Sequence, residues 1–338
     1  MIDKAKETGS IKKVTIYALF LSVLGLFSYM QGFFVYMPSA IINIADLVVI
    51  EQAYDHPDST FSMTLVMSQR ANPILYIEAL FNSGYDIYRA EQIIPKDMSS
   101  TEYHNAMLRQ MENSQLVAAG LAMKHIGFNV EEHGGGLYVL EVDAQSNAYD
   151  LVKQGDIVTK VDDQRIEITT DMQNHMRDKL PGEVVNLTIE RDGESFSYEI
   201  ELIERSDALE KGSIGVLTTV YEWNIDLPME IQVDTGNTGG ASAGLMMTLE
   251  IIEQLTEGHL AEGYHIAGTG TINWNGEVGP IGGVKQKVIG AINGKADYFL
   301  VPKDNYSEAQ SVADQRIQLV EVNNLEEALA FLANLDPK

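Results

Sequence analysis

The longest feature of the hydrophobic pattern is a run without one charged residue, from Val14 to Ala45, reading VTIYALFLSVLGLFSYMQGFFVYMPSAIINIA. About 20 apolar residues span a bilayer as a helix. Residues 14–37 supply that length, with Tyr17, Tyr29 and Tyr36 spread along it. Lys4, Lys6, Lys12 and Lys13 precede the run, and Asp46, Glu51, Asp55 and Asp58 follow it. Cations flanking a span stay on the cytoplasmic side. The pattern therefore predicts a single-pass anchor in the cell membrane, with the N-terminus (residues 1–13) cytoplasmic and the chain after residue 45 extracytoplasmic. A cleaved signal peptide is the competing reading. Its apolar core would be shorter, and no clean A-x-A site follows residues 14–28.

Beyond the run, the periodicity changes three times. IADLVVIEQAY and FSMTLVMSQ, within residues 44–69, are rich in β-formers and partly alternate, so they predict strands. Residues 71–124 predict mainly helix. Ser100-Thr101-Glu102 opens one that carries Met107, Met111, Val117 and Leu121 on its apolar face. The mixed segment 38–124 is expected to pack with the C-terminal region. Residues 125–203 predict a small barrel with one capping helix: a Gly-rich turn into LYVLEV, a strand pair turning at Asp162-Asp163, a short helix N-capped by Thr169 or Thr170, and a hairpin turning at Asp192-Gly193. From 205 to 336, strands in IGVLTTVYEW, MEIQV, DYFLVP and QLVEV alternate with helices in LMMTLEIIEQLTEG, IGGVKQKVIGAINGKA, SEAQSVAD and LEEALAFLAN. The whole reads as an α+β protein, with the C-terminal region α/β.

The chain has 338 residues, 23 basic and 49 acidic, for a formal charge of −26. That balance argues against nucleic acid as a partner, because phosphate binding needs clustered Lys and Arg. The absence of cysteine removes disulfides, thiol catalysis and Cys-built zinc sites. No metal or cofactor is expected.

Three chemistries compete. Gly240-Ala241-Ser242-Ala243-Gly244 matches G-x-S-x-G between a strand and a helix, and His133-Gly134-Gly135-Gly136 matches an oxyanion motif of some esterases. An α/β-hydrolase triad nonetheless needs a late histidine, and only His259 and His265 follow Ser242. Gly290-Ala291-Ile292-Asn293-Gly294-Lys295-Ala296 has a short spacing for a phosphate loop and Ala296 where Ser or Thr should stand, so no nucleotide is expected. The remaining option is a Ser–Lys dyad. A serine hydroxyl needs a base within hydrogen-bond reach, and a lysine serves if its pKa falls towards neutrality. Lys285 sits in the first turn of a helix, where the dipole disfavours a cation, and is the candidate base. Lys287 is read as a solvated surface lysine.

DTGNTGGASAGLMMTLEI, AGTGTINWNGEVGPIGGVKQKVIGA and ADYFLVPKDN together resemble the proteolytic domain of Lon proteases. GGGLYVLEV, QGDIVTKVDD and LPGEVVNLTIERDG resemble a PDZ domain. With the apolar run, the whole chain resembles the membrane-anchored PDZ–Lon proteins, which lack an ATPase module. That resemblance implies Ser242 as nucleophile, Lys285 as general base 43 residues later, and Thr269 in support. Gly240 and Ala241 lie beside Ser242, and Ala241 stands where the family usually has proline. It also implies that a peptide end is bound by strand addition along Leu137–Val142, facing a helix over Thr170–Lys179. Gly135, Gly136, Leu137, Tyr138 and Val139 would form that site. Asp234 reads as a turn residue rather than a third catalytic member.

The expected activity is ATP-independent endopeptidase action on unfolded or flexible proteins. Backbone N–H groups around Gly240–Ser242 would hold the oxyanion. The expected partners are protein or peptide substrates and the membrane, with a homo-oligomer implied by analogy. The alternative is a membrane-tethered peptide-binding protein whose protease domain is inactive or only self-cleaving.

Overall fold

The computed structural model describes residues 25, 27, 29–51, 53, 54, 60–96, 98–205 and 208–338. They form two compact units. One combines the described residues up to 128 with 229–338, and the other is 129–228. Most of the predicted anchor, residues 14–24, 26 and 28, lies outside the described residues. Its last part is corrected. Residues 33–37 begin a strand, β1 (Phe33–Asn43), rather than ending a helix. Among the described residues, no helix is long and apolar enough to cross a membrane.

In the first unit, β1 is followed by β2 (Val48–Ile50), β3 (Thr60–Arg70), α1 (Pro73–Phe81), β4 (Asp86–Arg89) and the long α2 (Ser100–His125). Asn72 caps α1 by accepting from the N–H groups of Ile74 and Leu75. α2 opens with a reciprocal box: Ser99 accepts from the Glu102 N–H while the Glu102 carboxylate accepts from the Ser99 N–H. This satisfies two otherwise orphan donors.

The second unit holds β5 (Glu131–His133), β6 (Leu137–Val142), β7 (Ile157–Val161), β8 (Gln164–Arg165), α3 (Thr169–Met176), β9 (Val184–Arg191), β10 (Glu194–Glu201), β11 (Ile203–Arg205), β12 (Ala208–Ser213), β13 (Val216–Val220) and β14 (Asn224–Asp226). The hairpin turns at Asp192 and Gly193, both with positive φ, as a two-residue loop requires. Three expectations change here. α3 is capped not by a threonine but by Asp171 reaching back to the N–H groups of Glu167 and Ile168. The helix ends at Met176, not Lys179. Residues 216–220, expected in the C-terminal region, join this unit's sheet in the order β10-β9-β7-β6-β13. Inward-facing Leu137, Val139, Val158, Leu187 and Ile189 exclude solvent completely and form its core.

The chain then returns to the first unit through β15 (Ile231–Val233), α4 (Gly244–Leu255), β16 (His265–Gly268), β17 (Thr271–Ile272), β18 (Val278–Gly279), α5 (Val284–Asn293), β19 (Tyr298–Pro302), α6 (Lys303–Ala313), β20 (Gln318–Val322) and α7 (Leu325–Leu332). The main sheet runs β20-β19-β16-β3-β1-β4. Its β20, β19, β16 and β3 strands are mutually parallel, and β1 is antiparallel to both β3 and β4. The segment before residue 128 thus supplies half of the sheet. α4 is buried from Gly244 to Gln254, including Glu250, Glu253 and Gln254, which share one face of the helix.

Candidate active site

Ser242 lies in the turn between β15 and α4. The turn needs the left-handed conformation that glycine supplies: Gly240 has φ +93. The Gly240 N–H donates to the Met107 carbonyl of α2 at 2.7 Å, which fixes the loop but spends that donor. Among the described residues, the N–H groups of Ala241 and Ser242 remain for an oxyanion, and that of Gly240 does not. The Ser242 carbonyl accepts from the Thr269 hydroxyl at 2.9 Å and from the Gly270 N–H at 2.8 Å. The nucleophile's own backbone is therefore tied to the end of β16.

The lysine that meets this serine is Lys287. Its Nζ lies 2.7 Å from Ser242 Oγ and 2.9 Å from Thr269 Oγ1. Lys285 does not reach the serine. It pairs with Asp86 at 2.5 Å and donates to the Tyr85 carbonyl, so its assignment as the base is corrected. α5 begins at Val284 after Gly283, whose φ of +69 starts the helix abruptly. From that start, Val284, Lys287, Val288 and Ala291 share the inner face, and Lys285 turns towards β4. Lys287 is 4% exposed. Burial lowers its pKa from 10.5 to about 7, because a desolvated ammonium loses hydration without gaining an anion.

Direction matters in this trio. The Thr269 hydroxyl gives its hydrogen to the Ser242 carbonyl, so its oxygen accepts from Lys287. With one N–H committed there, a neutral Lys287 can turn its lone pair to the Ser242 hydroxyl. Ser242 and Lys287 line a cleft of about 720 Å³, together with Thr64–Ser68 of β3 and Met107 and Met111 of α2, while Thr269 lies buried behind them.

The other candidates lie elsewhere. Asp234 accepts from the Gly236 N–H within its turn. His265 pairs with Ser62, and His133 with Asp226. The glycines at 290 and 294 fall at the C-terminal end of α5, where the dipole repels phosphate.

Residues 125–202 match the family model described as PDZ domain. Residues 217–334 match the one described as Lon protease (S16) C-terminal proteolytic domain. A PDZ domain and a Lon-type proteolytic domain share this chain. The Lon protease of Azospirillum brasilense is 26% identical over 163 residues, covering 47% of this chain and 20% of that protein. The Lon protease of Vibrio parahaemolyticus is 30% identical over 127 residues, 37% of this chain and 16% of that protein. The chain thus spans about a fifth or less of the length of these relatives. The PDZ domain of the SdrC-like protein from Listeria monocytogenes is 20% identical, covers 25% of this chain and 86% of that one, and has a TM-score of 0.23. The Lon-type match begins at residue 217, yet β3 and α2, which wall the cleft around Ser242, lie upstream of the PDZ domain.

Within the PDZ domain, the expected acceptor strand is already occupied. β6 pairs with β7 on one edge and with β13 on the other. The Gly135 N–H donates to Tyr221, that of Gly136 to Glu167, and that of Val139 to Asp156. Leu137 and Val139 are wholly buried. Gly135, Gly136, Leu137, Tyr138 and Val139 therefore serve as core and turn, not as an open carboxylate site. Among the described residues, β13 has no second strand neighbour. Its Val216 and Thr218 line a groove of about 730 Å³ with Met172, Gln173 and Met176 of α3.

Proposed function

We propose that this chain is an ATP-independent, membrane-anchored serine endopeptidase acting on unfolded or flexible proteins, with Ser242 as nucleophile and Lys287 as general base. The observation that carries it is the 2.7 Å contact between Lys287 Nζ and Ser242 Oγ in a buried setting with, among the described residues, no acid partner for the lysine. Lys287 takes the Ser242 proton as Oγ attacks the peptide carbonyl. The oxyanion sits against the N–H groups of Ala241 and Ser242. Lys287 then passes the proton to the leaving amine as the C–N bond breaks. In the second half, Lys287 takes a proton from water, hydroxide attacks the ester, and the proton returns to Ser242 Oγ as the C–O bond breaks. Thr269 positions the lysine. No step uses nucleotide energy. The anchor reading rests on the uncharged run and its flanking charges.

The test is labelling of the full chain by a serine-reactive fluorophosphonate, and cleavage of an unfolded protein without ATP. Native protein should be labelled and active, and Ser242→Ala should be neither. Labelling confined to other serines, or hydrolysis surviving in Ser242→Ala, overturns the assignment.

Substrate selection by the PDZ domain belongs to the same proposal, with the acceptor moved to the outer edge of β13. Tyr221 turns both its N–H and its C=O inward to the Gly136 and Gly135 backbone. Alternation along an antiparallel strand then turns the N–H groups of Val220 and Thr218 outward. Thr218→Pro removes one of those donors. It should weaken binding of extended peptides roughly tenfold while hydrolysis of a short unstructured peptide is unchanged. Isothermal titration beside a peptide cleavage assay checks both.

A further inference from the structure

α1 carries an apolar face that no described part of the unit covers. Ile74 is 80% exposed, Ile77 53%, Leu80 61% and Phe81 86%. These four lie on one side of the helix, opposite Leu75 and Ala79, which pack with Val35 and Met37 of β1. Glu78 is the only charged residue in the nine-residue helix. A soluble surface rarely concentrates four large apolar side chains on so short an element without a partner for them.

The position of the face in the fold indicates that partner. The uncharged sequence from Val14 enters the described structure through Tyr29 and Phe33. The rings of Tyr29 and Phe33 are 5.2 Å apart, and the ring of Phe33 is 5.5 Å from that of Tyr76 on α1. Phe27 and Tyr29 are themselves 43% and 62% exposed. Nearby, the Arg70 guanidinium donates to the Gln31 carbonyl and stands over the Phe34 ring. Residues 14–32 are long enough to span a bilayer, so their exit point would stand one ring contact away from α1. Aromatic rings and an arginine at that exit fit the interfacial layer.

We infer that the Ile74, Ile77, Leu80 and Phe81 face of α1 inserts into the outer interfacial layer of the bilayer that holds the anchor, docking the proteolytic unit against the lipid surface. The inference rests on the anchor reading above. It adds a second, peripheral contact of the kind made by short amphipathic helices, driven by apolar burial. Such a contact would set the height and tilt at which the cleft meets chains emerging from the membrane.

The chain has no cysteine, so one introduced thiol is a unique label. The full chain is reconstituted in phosphatidylcholine–phosphatidylglycerol vesicles as Phe81→Cys, Ile77→Cys or, as an exposed control on α6, Ser311→Cys, each carrying an environment-sensitive fluorophore. Emission at 81 and 77 should shift to the blue and be quenched by lipids spin-labelled near the headgroup end of the acyl chain, while emission at 311 should do neither. A chain that floats with the vesicles but leaves 81 and 77 unquenched overturns the inference and spares the anchor. A chain that does not float overturns both. Energy transfer between labels at 81 on two chains, without lipid quenching, assigns the face to a second copy and also overturns it.

Discussion

Lys287→Met should lose roughly 10⁶-fold in kcat for a peptide substrate, the scale on which removing the base of a serine hydrolase acts, and should become more stable at the same time. Both effects have one cause. The native lysine is held almost without solvent, with two hydroxyl oxygens and, among the described residues, no carboxylate for company. Each tenfold change in proton affinity corresponds to about 1.4 kcal/mol, so moving this group from 10.5 to about 7 costs several kcal/mol at neutral pH. Methionine fills a similar volume and carries no charge. The first unit should therefore melt at least ~3 °C higher in calorimetry at pH 7. Lys285→Met is the contrast. That side chain loses a partly exposed pair with Asp86, an interaction of about 1 kcal/mol or less. It should keep its activity within about fivefold and melt at or slightly below the native temperature. Equal activity loss in the two variants would remove Lys287 from the chemistry. A destabilised Lys287→Met would remove the desolvation argument.

The two lysines show where sequence reasoning reached and where it stopped. The first-turn dipole argument applies to both, since both follow Gly283 within four residues, and so it could not choose between them. The periodicity could. With α5 starting at Val284, positions 284, 287, 288 and 291 form the apolar stripe, and a lysine inside that stripe is the unusual one. The interval of 43 residues that the family resemblance implies falls on Lys285 instead. The interval observed is 45. The Asp192-Gly193 hairpin and the strand–helix alternation after residue 228 were legible because each is set by local chemistry, whereas the cap of α3 was not, since either threonine or Asp171 could supply it. The pairing of β13 with β6 was not, because it joins segments about 80 residues apart. Nor was the role of the Gly-rich turn. Gly135 and Gly136 look the same in sequence whether their N–H groups face a ligand or the chain's own carbonyls, and only the distant Tyr221 and Glu167 decide that.

Activity should follow the neutral form of Lys287. Below about pH 7 the amine is protonated and cannot take the serine proton, so kcat/KM should rise with pH around a midpoint near 7 and level off above it. At pH 5 it should be about a hundredfold below the plateau. Stability should follow a different curve, because a second buried ionisable group acts with opposite sign. Glu250, on α4 two turns beyond Ser242, is 4% exposed, and its pKa is raised from 4.5 to about 7 by burial, with Glu253 and Asp46 as further negative neighbours. Its amide partner, Gln254, opposes the shift only in part. Between pH 4.5 and 7 the folded chain holds a proton on Glu250 that the unfolded chain releases, so this group costs stability as pH rises through that window. Between pH 7 and 10.5 the unfolded chain holds a proton on Lys287 that the folded chain has released, so that cost is relieved as pH rises further. The two together place the largest cost near neutrality. Glu250→Gln should remove the acid-side slope and leave the activity midpoint in place, while Lys287→Met should remove the alkaline-side slope together with the activity. Denaturant titrations of the three proteins at pH 5, 7 and 9 separate these contributions. A native protein whose Glu250→Gln variant keeps the same slope between pH 5 and 7 would show that Glu250 ionises normally in the fold.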